Sequence, residues 1–377
     1  MDKKPVLQTC KPQIGIAERE AINRVLDSGY LGMGPEVQAF EQELEVYLGG
    51  NRRVVCVSSG TSALHLAIAA LGLQPGDEVL VPSFTFVATF QAIVMAGARP
   101  VSCDVTLETG LLDLKDAQQR LTKHTKAVMP VHYAGYPGDL DALYAFAQAN
   151  NLRVIEDAAH AFGSRHNGQL VGSIGDITCF SFDPIKNITA GEGGAVVTND
   201  ETIIARIRKL RNLGIEPITN PSEKPDFDVT GAGWRYHMPD LMAAIGRVQL
   251  ARFDRELKPA KMAIAASYRT RLTGIEGVKL LESSNEVVPH IIAIRVNKHV
   301  RAAIQSDLAD AGYDTKIHYK PNHLLTAFHD GIARPVSEQL FEEILTLPSH
   351  AEVTEKHIDS IASILEKYST FRLRDAS

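Results

Sequence analysis

Apolar residues recur with helical spacing at about 16–28 and 36–48, which predicts two amphipathic helices near the start of the chain. From residue 54 to about 200, short apolar runs alternate with further stretches of helical spacing. The predicted strands are 54–57, 78–81, 99–102, 126–131, 152–156, 176–182 and 194–197, and two intervening helices are predicted at 62–71 and 86–95. Such alternation is typical of βαβ units, so we expect an α/β fold with a mostly parallel sheet between layers of helices.

The pattern changes after residue 200, where a long helical stretch is followed by a polar, proline-punctuated loop at 217–225. Later elements are a helix ending near Leu272, two strands within 277–296, and helices at 301–312 and 356–368. A single hydrophobic core usually stops growing at roughly 250–300 residues, and this chain has 377. We therefore predict a large domain of residues 1–250 and a smaller α+β domain of residues 251–377.

Composition and charge narrow the classes of partner. The chain is 45% hydrophobic and 22% charged, as in ordinary globular proteins, and its formal net charge is −6. It contains no basic run that would indicate binding to nucleic acid or to an anionic membrane, although small anionic ligands remain compatible with it. The four cysteines lie far apart without CxxC spacing, which favours free thiols. We find no signal peptide and no contiguous apolar span, so we expect a cytoplasmic protein.

The stretch from Arg153 to Asp200 concentrates polar residues among predicted strands. Asp157 directly follows the strand 152–156, and ligands of α/β sheets bind beyond the carboxyl ends of strands. This position suits a carboxylate that faces a ligand. The alternative is that Asp157 only caps the next helix.

Lys186 follows the apolar run 178–182 and precedes the glycine-rich turn 191–194. Desolvation at such a position lowers the pKa of a lysine and frees its amine for Schiff-base chemistry. Residues 58–62, Ser-Ser-Gly-Thr-Ser, lie between a strand and a helix and offer hydroxyls and backbone N–H groups to an anion, or serve only as a helix cap. An amine, a carboxylate and a phosphate seat together suit pyridoxal 5'-phosphate (PLP).

Four longer motifs extend this argument to nearly the whole chain. They are SSGTSALHLA, PSFTFVAT, EDAAHAFGS and SFDPIKNITAGEGG, and further matches run from Gly29–Pro35 to Leu347–His350. With these motifs the sequence resembles the sugar aminotransferases of the DegT, DnrJ, EryC1 and StrS family. The resemblance implies PLP fold type I, which is the aspartate aminotransferase-like architecture.

The resemblance also implies roles for individual residues. Lys186 would carry PLP as a Schiff base and later act as general acid and base, and Asp157 would keep the ring nitrogen protonated. Phe86 would stack on the ring, unless it is an ordinary core aromatic. His160 would lie near the ring hydroxyl, where the family often has glutamine; the alternative is a core histidine.

The phosphate would be held by Gly60, Thr61 and Ser181, and Arg235 stands where family members often have asparagine. In the family this segment reaches across a dimer interface to the neighbour's phosphate, so the resemblance implies a homodimer with shared sites; otherwise Arg235 is a surface residue. The segment His318–His323, HYKPNH, resembles the family's segment near the substrate. Its histidine spacing invites a metal interpretation, but no second ligand cluster supports a metal.

The resemblance implies amino transfer from L-glutamate, which leaves 2-oxoglutarate, to the keto group of a nucleotide-linked deoxy sugar. Such sugars serve cell-surface polysaccharide, such as lipopolysaccharide O-antigen, or natural products. A PLP-dependent sugar dehydratase of the same family is one alternative, but it would carry histidine at position 186. A regulatory homologue without activity is another, and it would be expected to lose the lysine or the aspartate. A free keto-sugar acid remains open as acceptor.

Overall fold

The computed structural model describes residues 6–217 and 227–373. The loop predicted at 217–225 lies outside these described residues apart from Pro217. The strands are β1 (Arg53–Val57), β2 (Glu78–Pro82), β3 (Arg99–Cys103), β4 (Thr125–Val128), β5 (Arg153–Asp157), β6 (Arg165–His166), β7 (Gln169–Leu170), β8 (Ile177–Ser181), β9 (Gly194–Thr198), β10 (Ile215–Pro217), β11 (Phe227–Val229), β12 (Val278–Leu280), β13 (Ile292–Val296) and β14 (Ile344–Leu347). The helices are α1 (Ile16–Ser28), α2 (Pro35–Tyr47), α3 (Gly60–Leu71), α4 (Val87–Met95), α5 (Leu114–Gln119), α6 (Leu140–Ala149), α7 (Glu201–Arg211), α8 (Asp240–Arg252), α9 (Lys258–Leu272), α10 (Arg301–Asp310), α11 (Pro335–Glu343) and α12 (Glu355–Glu366).

A seven-stranded sheet forms the centre of the molecule, in the order β1-β9-β8-β5-β4-β2-β3. Its strands pair in parallel except for β9, which is antiparallel to both β1 and β8. Strands β2, β8 and β9 are buried at every position because helices cover both faces of the sheet. The predicted fold class, a mostly parallel sheet between helices, is confirmed.

Helix α3 begins where it does because Ser59 caps it. The Ser59 hydroxyl accepts a hydrogen bond from the backbone N–H of Ser62 at 3.1 Å, which satisfies one of the N–H groups that has no partner within the helix. Gly72 then ends the helix in the left-handed conformation, with φ of 70°. Most side chains of α3 are buried against the sheet, so its N-terminus is fixed at the ends of the strands.

A second, three-stranded antiparallel sheet, β12-β13-β14, packs with α9, α10 and α12 around its own apolar cluster. Helix α8 runs through a π-helical turn, Phe253–Leu257, directly into α9. Residue Leu7 forms a parallel bridge with Tyr313, so the described start of the chain lies against this C-terminal part. The division between residues 250 and 251 stays a prediction.

All four cysteines are free thiols, and Cys56, Cys103 and Cys179 are buried, as their apolar surroundings in the sequence indicate. Within residues 6–217 and 227–373, no helix has both the length and the apolar character that crossing a membrane requires.

Candidate active site

A cavity of about 380 Å³ lies beyond the carboxyl ends of the central strands. Seven of the eight predicted site residues line it: Gly60, Thr61, Phe86, Asp157, His160, Ser181 and Lys186. They come from segments that follow β1, β2, β5 and β8, because parallel strands present their carboxyl ends at one edge of a sheet. The fold therefore brings together residues that lie up to 126 positions apart in the chain (186 − 60).

Asp157 ends β5 with its carboxylate buried, 5% exposed. Its Oδ2 accepts a hydrogen bond from the hydroxyl of Thr89 at 2.8 Å, and its Oδ1 accepts one from the backbone N–H of Ala159 at 3.2 Å. Burial raises the pKa of Asp157, while these two donors and the nearby charge of Lys186 act in the opposite direction. The carboxylate is thus held in one orientation and gains most from a cationic partner inside the cavity.

Lys186 lies in a tight turn after β8. Its backbone N–H donates to the carbonyl of Asp183 at 3.1 Å, and the N–H of Ile185 donates to the Asp183 carboxylate at 3.1 Å. The next residue, Asn187, is buried and donates to the carbonyls of Phe162 and Val288, both at 3.1 Å. Burial lowers the pKa of Lys186, and the carboxylates of Asp183 and Asp157 partly oppose that shift. A lowered pKa increases the fraction of neutral, nucleophilic amine.

The N-terminus of α3 and the end of β8 approach each other closely at the other end of the cavity. A Cβ added to Gly60 would lie 2.7 Å from Cβ and 2.9 Å from Oγ of Ser181. This approach is open only to glycine, and it places the Ser181 hydroxyl beside the first backbone N–H groups of α3. Such an arrangement of helix N-terminus and hydroxyls suits a phosphate.

Phe86 and His160 lie on the remaining wall. Phe86 is 55% exposed within one chain and lines the cavity, so it has a free aromatic face and is not a core residue. His160 is 6% exposed, and its Nδ1 has no hydrogen-bond partner among the described residues. Burial, followed by the charges of Lys186 and His318, lowers the pKa of His160 well below its usual value, so the imidazole is neutral.

These residues fit PLP. The buried Nδ1 of His160 has no partner, the Gly60 and Ser181 cradle closes around the start of a helix, and an oriented carboxylate stands opposite a desolvated lysine. Together they match the aldehyde, pyridine nitrogen, ring hydroxyl and phosphate of the cofactor.

Arg235, the eighth predicted residue, is exposed and is not among the described residues that line the cavity. It forms an isolated antiparallel bridge with Asn212 after α7. Within its own chain, the structure therefore does not bring Arg235 to the other predicted residues.

Several cavity residues were not predicted from the sequence. Thr89 holds Asp157, Tyr319 contacts His160, and Asp183 and Glu192 add two carboxylates. Thr89 is the last residue of the PSFTFVAT motif and lies in helix α4, so a search of that motif for donors to Asp157 could have found it. The histidines of HYKPNH have separate protein partners: Nδ1 of His318 contacts the Thr346 hydroxyl at 3.0 Å, and Nδ1 of His323 contacts the Ser83 hydroxyl at 2.6 Å.

Comparisons with known proteins agree with this geometry. TlmJ, an aminotransferase from Streptoalloteichus hindustanus, is 33% identical with a TM-score of 0.89, and the match covers 97% of this chain and 99% of TlmJ. The PLP form of Spr1654 from Streptococcus pneumoniae is 30% identical with a TM-score of 0.89, covering 98% and 99%. DesI, solved in the presence of its TDP-sugar product, is 31% identical with a TM-score of 0.86, covering 98% and 94%.

The sequence also matches the profile of one aminotransferase family over residues 12–366. The family, the enzyme class and the cofactor predicted from the motifs are confirmed. The chain belongs to the DegT/DnrJ/EryC1/StrS aminotransferase family and is a PLP-dependent enzyme.

Proposed function

We propose that this enzyme transfers an amino group from L-glutamate to the keto group of a nucleotide-linked deoxy sugar. One observation carries the transfer chemistry: the Lys186 amine, the Asp157 carboxylate and the N-terminus of α3 line the same cavity. The choice of acceptor is supported by solved structures of similar proteins whose matches cover more than 90% of this chain. One of them is DesI, solved in the presence of its TDP-sugar product. The product sugars would serve cell-surface polysaccharide or natural-product synthesis in the cytoplasm.

PLP supplies an electron sink that stabilises negative charge at the carbon from which a proton leaves. In this proposal Asp157 keeps the ring nitrogen protonated, because its buried carboxylate is strongly stabilised by a cation. Thr89 and Ala159 orient the two carboxylate oxygens for that contact. Phe86 would cover one face of the ring, and His160 would donate to the ring oxygen.

Lys186 would hold the cofactor covalently and, when its amine is free, would act as the general acid and base that accepts and returns the proton. Its lowered pKa suits this role, since a general base works best when its pKa is near the pH of the reaction. The turn held by Asp183 and the buried anchor of Asn187 keep the lysine stem fixed while the amine is free to move.

The phosphate would be held by backbone N–H groups of Gly60 and Thr61 and by the hydroxyls of Thr61 and Ser181. Lys186 is the only lysine or arginine among the described residues of the cavity wall. Because Lys186 would be bonded to the cofactor aldehyde, the described wall offers no cationic side chain to the phosphate. We propose that Arg235 of the partner subunit supplies one in a homodimer with shared sites.

The acceptor can be identified with a panel of nucleotide-linked keto sugars and free keto-sugar acids, each incubated with L-glutamate and PLP-loaded enzyme. We expect mass spectrometry to show replacement of the keto oxygen by an amino group in a nucleotide-linked member, with 2-oxoglutarate formed in equal amount. The Lys186→Ala variant serves as the inactive control. Amination of only the free acids would overturn the nucleotide-sugar assignment, and loss of water without 2-oxoglutarate would indicate a dehydratase.

A further inference from the structure

Tyr319 adjoins the cofactor cavity from the segment His318–His323, which the proposed chemistry does not otherwise use. Its hydroxyl lies 3.1 Å from Nε2 of His160, and its ring centroid lies 5.7 Å from that of Phe86. His160 thus has one ring nitrogen in contact with Tyr319 and the other, Nδ1, buried without a partner among the described residues. The two nitrogens of this imidazole therefore have different environments.

The protonation of this pair follows from burial. The pKa of His160 is lowered well below its usual value, so the imidazole is neutral and carries one N–H. Burial raises the pKa of Tyr319, with further contributions from Asp157, Cys10 and Asp183, so the phenol keeps its proton. If the phenol donates to Nε2, the single ring proton of His160 resides on Nδ1. If Nε2–H instead donated to the phenol oxygen, the phenol proton would have no acceptor among the described contacts. That is unfavourable for a largely buried hydroxyl.

We propose that Tyr319 is a positioning residue that holds His160 in the Nδ1–H tautomer, so that this N–H donates to the ring oxygen of PLP. This inference rests on the placement of His160 beside that oxygen under the proposed function. A hydrogen bond made by one imidazole nitrogen fixes which form the other nitrogen takes, and such outer contacts tune the group that touches the cofactor. An ionised ring oxygen needs a hydrogen-bond donor. In the Nε2–H tautomer, Nδ1 of His160 would present a lone pair to that oxygen instead.

Buried contacts fix the position of Tyr319. Three residues further on, the side chain of Asn322 donates to the carbonyl oxygens of Ser83 at 3.1 Å and Thr85 at 2.8 Å, and its backbone N–H donates to Ser83 at 2.8 Å. His323 adds the 2.6 Å contact with the Ser83 hydroxyl. Asn322, His323 and Ser83 are all buried. The segment is therefore attached to the large sheet through several hydrogen bonds.

A second imidazole ring also packs against His160. The ring of His290 packs against it with centroids 4.2 Å apart, and His290 is itself buried with its backbone N–H bonded to Ala134 at 3.1 Å. The carbonyl of His318 accepts a hydrogen bond from the hydroxyl of Tyr133. Burial, and then the charges of Lys186 and His318, lower the pKa of His160. Burial, and then the charge of His160, lower the pKa of His290. Rotation of the imidazole would break these contacts, so its tautomer is the remaining freedom.

The tautomer can be measured without cofactor by NMR on protein labelled with nitrogen-15 at its 13 histidines. The signals of His160 are those lost in the His160→Gln variant. We expect a protonated Nδ1 and an unprotonated Nε2 in the wild type, and loss of this preference in Tyr319→Phe. A wild-type His160 that carries its proton on Nε2 overturns the proposal, and this result requires no variant of Tyr319 to fold.

The loaded enzyme gives a second, spectroscopic measurement. In Tyr319→Phe we expect the midpoint of the absorbance titration of lysine-linked PLP to rise by about one pH unit, because a ring oxygen that loses a donor holds the shared proton more tightly. The value of kcat should fall roughly three- to tenfold. In the H160Q background, Tyr319→Phe should add no further shift, whereas an equal shift in both backgrounds refutes action through His160. The NMR measurement and the absorbance titration do not depend on the sugar, so a wrong acceptor assignment leaves both unchanged and affects only the prediction for kcat.

Discussion

At the scale of single residues, Asp157 shows how burial and hydrogen bonding combine in one group. Its carboxylate is desolvated and held by Thr89 and Ala159. In Asp157→Asn a neutral amide replaces the charge that, in the proposed function, would keep the ring nitrogen protonated. We expect PLP to remain largely bound and kcat to fall by roughly a hundredfold or more, which corresponds to about 2.7 kcal/mol of barrier.

The matched control for Asp157 is Thr89→Val, which removes one donor and keeps the carboxylate. We expect a loss in kcat of at most about tenfold, since one hydrogen bond to a charged group contributes about 1.5–3 kcal/mol and water can replace part of it. Steady-state kinetics with saturating PLP measures both variants. Near-normal turnover of Asp157→Asn would mean that Asp157 only orders the local backbone after β5 and does not take part in the chemistry.

Lys186 can be tested as the covalent attachment point. We expect the purified enzyme to be yellow, and borohydride reduction followed by peptide mapping should find the pyridoxyl group on the peptide that contains Lys186. Lys186→Ala should lose this label with its fold intact. Lys261 is the matched control because it shares a second, smaller cavity with Lys186 and burial lowers its pKa as well. A label that persists in Lys186→Ala and disappears in Lys261→Ala would contradict the assignment.

The sequence predicted the residues that would contact PLP, but it assigned no role to Thr89 and Tyr319, although both lie within the motifs PSFTFVAT and HYKPNH. Asp157 directly follows the predicted strand 152–156 and Lys186 lies four residues beyond the apolar run 178–182, so their position at the sheet edge could be predicted from the pattern. Thr89 and Tyr319 lie 68 and 159 positions from the side chains they contact. Such contacts depend on how α4 and the C-terminal segment pack, which the periodicity of a single sequence does not determine.

At the scale of secondary structure, the N-terminus of α3 makes a prediction about the phosphate seat. Gly60→Ala introduces a Cβ at 2.7 Å from Cβ of Ser181, so either the helix or β8 must shift. We expect roughly tenfold weaker PLP binding, measured by fluorescence titration, because at least one charge-assisted hydrogen bond is lost. Ser181→Ala should cause a similar loss without moving the backbone. Unchanged affinity in Gly60→Ala would show that this close approach is not part of the seat.

The buried strands were predictable because a strand covered on both faces is a continuous apolar run, and β5, β8 and β9 fall within one residue of their predicted bounds. The antiparallel direction of β9 was not predictable, since a run of buried apolar residues reads the same in either direction. Strand β14 was also missed. It follows α11 without a turn residue between them, so its four apolar or β-branched residues continue the preceding helical pattern.

At the scale of the whole molecule, the charge of the cavity supports the proposal that a partner subunit completes the site. The described lining carries Asp157, Asp183 and Glu192 against a single lysine, while the phosphate of PLP would add further negative charge. Helix dipoles and hydroxyls compensate part of that charge. Arg235 is exposed in its own chain, as an arginine that reaches a second chain would be. We expect Arg235→Ala to raise the PLP dissociation constant roughly ten- to a hundredfold.

Mixed dimers distinguish an arginine that acts across the interface from one that acts within its own chain. Each heterodimer of Lys186→Ala and Arg235→Ala subunits contains one site with both defects and one with neither, if Arg235 acts in trans. Such mixtures should regain part of the activity that both parents lack at limiting PLP. If Arg235 acts in cis, each site keeps one defect and no activity returns. A monomer by light scattering at the assay concentration would refute the shared site directly, because no partner subunit would then be present to supply the arginine.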